Sequence, residues 1–203
     1  MPQPQGRKII LASASAIRAQ MLRNAGVEFE MQPGRIDEEA VKQSLLAEGG
    51  QPRDLADTLA EMKALKVSER NPGALVIGAD QVLECEGRVF SKPETPEDAL
   101  VQLRFLSGRT HKLHSAAVAC ENSQPIWRQL GTVRLVMHDS SDAYLRDYVA
   151  RNWESLRHAV GCYKIEEEGI RLFARIEGDF FHILGLPLIE LLTWLRIRGD
   201  ILA

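Results

Sequence analysis

Apolar positions along this chain follow two periods, one of a strand and one of a helix, and the two alternate. Lys8–Ala12 is a short, mostly apolar run of the kind a buried strand shows. Ile17, Met21, Leu22 and Ala25 then recur at helical spacing, with Ser13 and Ser15 as candidate N-caps and Gly26 as the stop. Val27–Gln32 alternates like a second strand until Pro33-Gly34 breaks it. Helices are expected over 38–48 and 52–70. In the second of these Leu55, Leu59, Met62 and Leu65 or Lys66 set the period, and Asn71-Pro72-Gly73 ends it. Ala74–Ala79 is fully apolar, the mark of a central strand, and is expected to stop at Asp80.

Beyond Asp80 a strand pair is expected around Glu86-Gly87. Pro96–Ser107 reads as a helix with Thr95 as its cap and Gly108 past its end. Residues 109–121 and 126–138 read as two long strands joined by a polar turn. A helix is expected over 140–151, short strands and charged loops over 161–184, and a closing amphipathic helix over 188–198. This order predicts an α/β fold, a mixed sheet with flanking helices. The first six residues read as a frayed tail and 7–203 as a single domain.

Composition narrows the class. A chain of 203 residues can bury one large core or a core split into two lobes. The formal charge of −3 gives nonspecific nucleic-acid binding little support, although a local basic pocket is allowed. Three cysteines with no C-x-x-C spacing argue against a disulfide framework or a zinc site and fit a reducing compartment. No run approaches the roughly 20 apolar residues that span a bilayer, and the start lacks the apolar stretch of a signal peptide. The expectation is a cytoplasmic protein with neither a membrane nor a nucleic-acid partner.

Three features could carry chemistry. At the junction Leu11–Arg18, a helix N-terminus offers unpaired N–H groups, two serines offer hydroxyls, and Arg18 offers a fork matched to phosphate oxygens. On local pattern alone, a capped helix with a surface arginine is the simpler reading. Next, Asp80 stands where open α/β sheets bind ligands and could hold a divalent ion or take a proton from water. An aspartate that starts a turn is the ordinary alternative. Last, Glu38, Lys63 and Lys92 could serve a polyphosphate, whereas singly each is more often solvated. His111 and His114, three apart in an expected strand, face opposite sides and make no metal pair. Glu166-Glu167-Glu168 reads as a solvated loop.

In order, LASASAIRAQML, IDEE, LAEMKALKV, VIGADQVL, SKPETPEDA, LRFLSGRTHKLHSA and GCYKIEEEGIRLFARIEGDFFHILGLPL cover nearly the whole chain. With these seven stretches the chain resembles the Maf family of nucleotide pyrophosphatases. The resemblance implies an elongated α/β fold with two lobes around a central nucleotide-binding cleft. It implies hydrolysis of a nucleoside triphosphate between the α- and β-phosphates, removal of modified nucleotides, a requirement for Mg2+ or Mn2+, and a homodimer, as in many members. By position Ser13, Arg18, Lys63 and Lys92 fall on phosphate-binding places and Glu38 on an acidic, metal-holding one. Asp80 falls on the proton acceptor, with metal ligation as its open alternative.

The departures are specific. The family's S-P-R-R stands here as Ser15-Ala16-Ile17-Arg18, its A-D-T as Ala79-Asp80-Gln81, and the lysine and glutamine of its later K-A-G-A-Y-G-I-Q-G as Ala159 and Glu166. Gln81 and Glu166 resemble the 7-methylguanosine-triphosphate subgroup. A carboxylate only accepts hydrogen bonds, which suits the N–H donors and positive charge of a methylated guanine. Two rivals remain: an inosine/xanthosine triphosphate pyrophosphatase, and a non-catalytic nucleotide-binding regulator of cell division.

Overall fold

A computed structural model describes residues 7–202. The tail expected over residues 1–6 lies outside the described residues. The elements are β1 (Ile9–Leu11), α1 (Ala16–Asn24), β2 (Glu30–Met31), α2 (Glu38–Ala47), α3 (Pro52–Ser68) and β3 (Leu75–Cys85). There follow β4 (Arg88–Phe90), α4 (Pro96–Leu106), β5 (Thr110–Glu121), β6 (Gln124–Met137) and α5 (Asp142–Leu156). After two 3-10 turns, Val160–Cys162 and Glu168–Leu172, come β7 (Phe173–Glu177), α6 (Phe180–Ile183) and α7 (Leu188–Arg198).

Local chemistry sets many of these boundaries. Ser15, Thr95 and Ser141 cap α1, α4 and α5, each hydroxyl accepting the N–H three residues on, a contact worth about 1 kcal/mol. Asp98 returns the bond to the Thr95 N–H and completes a capping box. Asn122 and Ser123, both at positive φ, form the tight turn between β5 and β6.

Four expectations change. The stretch over 161–184, expected to mix short strands with charged loops, holds one strand, β7, with 3-10 turns before it and the short helix α6 after it. The strand expected over 27–32 pairs only at Glu30–Met31. The helix expected over 140–151 is α5, which continues to Leu156 because Leu145, Tyr148, Val149 and Leu156 bury one stripe. The strand expected to stop at Asp80 runs on to Cys85. Its second half has a partner of its own: Leu83, Glu84 and Cys85 pair antiparallel with Phe90, Val89 and Arg88 across the Glu86-Gly87 turn.

Among the described residues seven strands form one mixed sheet in the order β2-β1-β3-β5-β6-β7, with β4 on β3. β1 pairs parallel with both β2 and β3. The chain divides into two compact units. The first holds residues up to Gln81, then Ser115–Gly131 and the chain from Phe180 on; the second holds Val82–His114 and Thr132–Asp179. The chain passes from one unit to the other within β3, β5 and β6. The first unit's core joins Ile9, Leu11 and Leu22 to Leu75, Ile77, Leu191 and Leu195. No helix among the described residues is long and apolar enough to cross a membrane.

Candidate active site

The site begins where β1 stops and β3 does not. Their register ends at Leu11 opposite Ile77, and Ala12 N–H gives a last bond to the Ile77 carbonyl at 2.8 Å. The chain then turns away into Ser13–Ser15, so the next carbonyl on that edge of β3, Ala79 O, has no strand to pair with. Arg18 takes it: Nη1 donates to Ala79 O at 2.8 Å and Nε donates to Gly185 O at 2.7 Å. Nη1 also lies 3.3 Å from Ser13 Oγ, which accepts the Ser15 N–H as well. Arg18 is only 8% exposed, so the surface-arginine reading is corrected. Burial lowers its pKa, while Asp80 and Glu38 push the other way.

Asp80 lies inside β3 and is buried. Lys63 of α3 donates to its Oδ1 at 3.1 Å and reaches Glu38 Oε1, at the start of α2, at 2.7 Å. Gly78 makes this approach fit. A Cβ there would lie 2.1 Å from the Ala60 carbonyl, so α3 rests directly on the backbone of β3 only because residue 78 has no side chain. Burial raises the Asp80 pKa above the ordinary carboxylate value, and Lys63 and Arg18 restrain the rise. Ser13, Arg18, Glu38, Lys63 and Asp80, five of the residues expected from sequence, therefore stand within one unit as two contact groups, Ser13–Arg18 and Glu38–Lys63–Asp80, which meet at the Ala79 carbonyl beside Asp80.

The carboxylates of Asp80 and Glu38 share one ammonium, so they converge on a common space. Among the described residues no group of three or more His, Cys, Asp or Glu could hold a metal ion. Two hard oxygen donors fit a Mg2+-type ion, which draws its remaining ligands from water and phosphate oxygens.

Gln81 is fixed by three acceptors. Its Nε2 lies 2.9 Å from Ser115 Oγ, His182 O and Ile183 O, and Ser115 gives its own proton to His182 O at 2.6 Å. With only acceptors around the nitrogen, the amide has one orientation, and Oε1 is left as the acceptor it presents. Sequence reasoning missed Ser115, whose only signal is a hydroxyl inside an apolar strand. It missed the Gly185, His182 and Ile183 carbonyls too, and backbone acceptors leave no mark in a sequence.

The other expected residues belong to the second unit. Lys92 is exposed beside the buried Pro93. Glu166 is exposed in a turn, and Ala159 precedes the first 3-10 turn. The neighbouring acids are more engaged than a solvated loop implies: Glu167 accepts from Ser155, and Glu168 accepts from Arg151 and Asn152. His111 and His114 bond to Tyr163 and Thr132 respectively and form no pair.

A family profile described as Maf-like protein matches residues 8–197. A relative in Roseobacter denitrificans, named nucleoside triphosphate pyrophosphatase, is 62% identical over 201 residues, covering 99% of each chain. One in Brucella abortus, named 7-methyl-GTP pyrophosphatase, is 43% identical over 189 residues, covering 93% of this chain and 95% of its own. Among solved structures, a nucleoside-triphosphatase described as a dITP/XTP pyrophosphatase from Mycobacterium abscessus aligns with 94% of this chain and 97% of its own. The identity is 16% and the TM-score 0.42.

Proposed function

Because the chain belongs to the Maf-like protein family, we propose that it hydrolyses the α–β anhydride of nucleoside triphosphates, releasing a nucleoside monophosphate and pyrophosphate. The observation that carries this reading is Asp80, a buried carboxylate joined to Lys63 beside the buried Arg18. Ionised Asp80 orients a water and accepts its proton as the water oxygen attacks phosphorus in line. The bridging oxygen leaves with the bond electrons on pyrophosphate. Arg18 and Lys63 neutralise the phosphate oxygens and Ser13 donates a hydrogen bond to one of them. Lys92, placed by the resemblance, adds a further cation.

Asp80 and Glu38 would hold Mg2+ or Mn2+, which supplies charge neutralisation at the phosphate oxygens. Gln81 reads the base through its Oε1, and the resemblance assigns Glu166 to the same task. Two acceptors favour a base edge rich in N–H donors, which supports 7-methyl-GTP over dTTP or UTP. Three free, buried cysteines fit a cytoplasmic protein, and we propose a homodimer on the resemblance alone.

The test is pyrophosphate release from 7-methyl-GTP, dTTP, UTP and CTP under a Mg2+ and Mn2+ titration. Release that requires the ion and is fastest with 7-methyl-GTP is expected. Preference for dTTP overturns the base assignment. Tight nucleotide binding without release overturns the enzyme reading in favour of a regulator.

A further inference from the structure

A second concentration of positive charge stands in the first unit, around the C-terminal end of α3. Lys66 lies in the last turn of α3 and Arg70 two residues past its end. Lys66 and Arg70 line an open pocket of about 470 Å3 together with Gln32, Gly34 and Arg35. Three of the lining residues are cations and none is an acid.

None of the three cations forms an ion pair with an acid among the described residues. Many arginines elsewhere in the chain sit on carboxylates, as Arg128 does on Asp57 and Glu61 and Arg198 on Glu121 and Asp200. Arg35 and Arg70 have no such partner among the described residues. Three carboxylates near in sequence are engaged elsewhere, Glu30 with Lys8, Asp37 as the cap of α2 and Glu39 with Lys42, and Glu69, beside Arg70, does not line the pocket.

The pocket is also built rather than loose. A Cβ on Gly34 would lie 2.5 Å from the Lys63 carbonyl, so the Pro33–Arg35 segment rests directly on α3. Lys66 Nζ donates to the Arg35 carbonyl, which ties the segment to the helix at a second point. Gln32 and Asn71 exchange amide hydrogen bonds, the shorter at 2.9 Å. Cations held on a rigid frame, with no internal counter-charge, are what an anion site requires.

We propose that Arg35, Lys66 and Arg70 form a binding site for inorganic pyrophosphate, separate from the Asp80 cluster. Two guanidinium forks and an ammonium match the oxygens of two linked phosphates. Lys66 in α3, Arg70 just past its end and Arg35 line one pocket, so a two-phosphate anion can offer oxygens to all three. The site does not depend on hydrolysis at Asp80 and stands if that activity fails.

The test is calorimetric titration of the whole chain with pyrophosphate in a metal-free buffer. Wild type is expected to show a site that Arg18→Met retains and that Arg35→Gln/Arg70→Gln weakens at least tenfold. Lys66→Met is expected to weaken it in the same direction. Both arginines are exposed, so the double variant should melt as wild type does, which separates loss of binding from loss of fold. An unchanged isotherm in the double variant, or no binding by wild type, overturns the proposal. Orthophosphate bound as tightly as pyrophosphate overturns the two-phosphate assignment. A ten-nucleotide RNA that binds tenfold more tightly than pyrophosphate through the same arginines overturns the small-anion assignment.

Discussion

In the first unit Asp80, Arg18 and Lys63 are buried together, anion beside cation. In the second, His111, Tyr148, Cys162 and Tyr163 are buried with no opposite charge against them. Desolvation acts on both sets, but the outcomes diverge. For Asp80 it is opposed by Lys63 and Arg18, and for Arg18 by Asp80 and Glu38. For His111 burial acts alone and takes the imidazole down to about 4, and the Cys162 thiol is pushed up to about 12. The second set stays neutral and serves packing, with His111 and Phe173 around the Tyr163 ring. Burying charges is costly unless they are paired, so a fold that keeps three together marks a place where charge is used.

The contrast can be broken at several points. Asp80→Asn should lower pyrophosphate release by about 10³-fold while circular dichroism shows an intact fold. Near-normal turnover would remove Asp80 from catalysis. Arg18→Met leaves the Ala79 and Gly185 carbonyls without their donor. It should cost about 2–4 kcal/mol in urea unfolding as well as most of the activity; an unaltered midpoint would mean those bonds carry no stability.

Lys63→Met removes a cation that restrains the raised pKa of Asp80. The acid limb of the kcat/KM profile should move to higher pH, with the plateau about 10- to 100-fold lower. A limb that stays in place would mean that another group governs it.

His111 tests the other unit. Its folded pKa lies below the unfolded value of 6.5, so its contribution to stability is complete above pH 6.5 and is lost as pH falls toward 4. That loss amounts to about 3 kcal/mol, and His111→Gln should flatten the fall in melting temperature over this window without changing turnover at neutral pH. The smallest structural effect belongs to the exposed Lys92: Lys92→Gln should leave stability within about 0.5 kcal/mol and still slow pyrophosphate release several-fold. A rate equal to wild type would withdraw it from the phosphate-binding set.

Much of this was legible in the sequence. Thr95-Pro96 and Gly108 bounded α4 because capping is written in side chains. The apolar run before Asp80 located β3 for the same kind of reason. The end of β3 was not legible, because its second half is held by pairing with β4, a partner that local hydropathy does not name. Arg18 was visible as a phosphate fork, but its burial depends on carbonyls 61 and 167 residues away. The Gln81 amide was visible too. Which of its ends is free was decided by Ser115 and the 182–183 backbone, a tertiary fact.

Gly78 bears no functional group, yet the distance between Lys63 and Asp80 rests on it. In a library that replaces every residue in turn, position 78 should tolerate as little as position 80, and for a different reason: each substitution lifts α3 from the sheet and parts the ammonium from the carboxylate. A map of intolerance would then list a glycine among the essential residues of the reaction, and only soluble yield, measured beside turnover, would tell the two kinds of necessity apart.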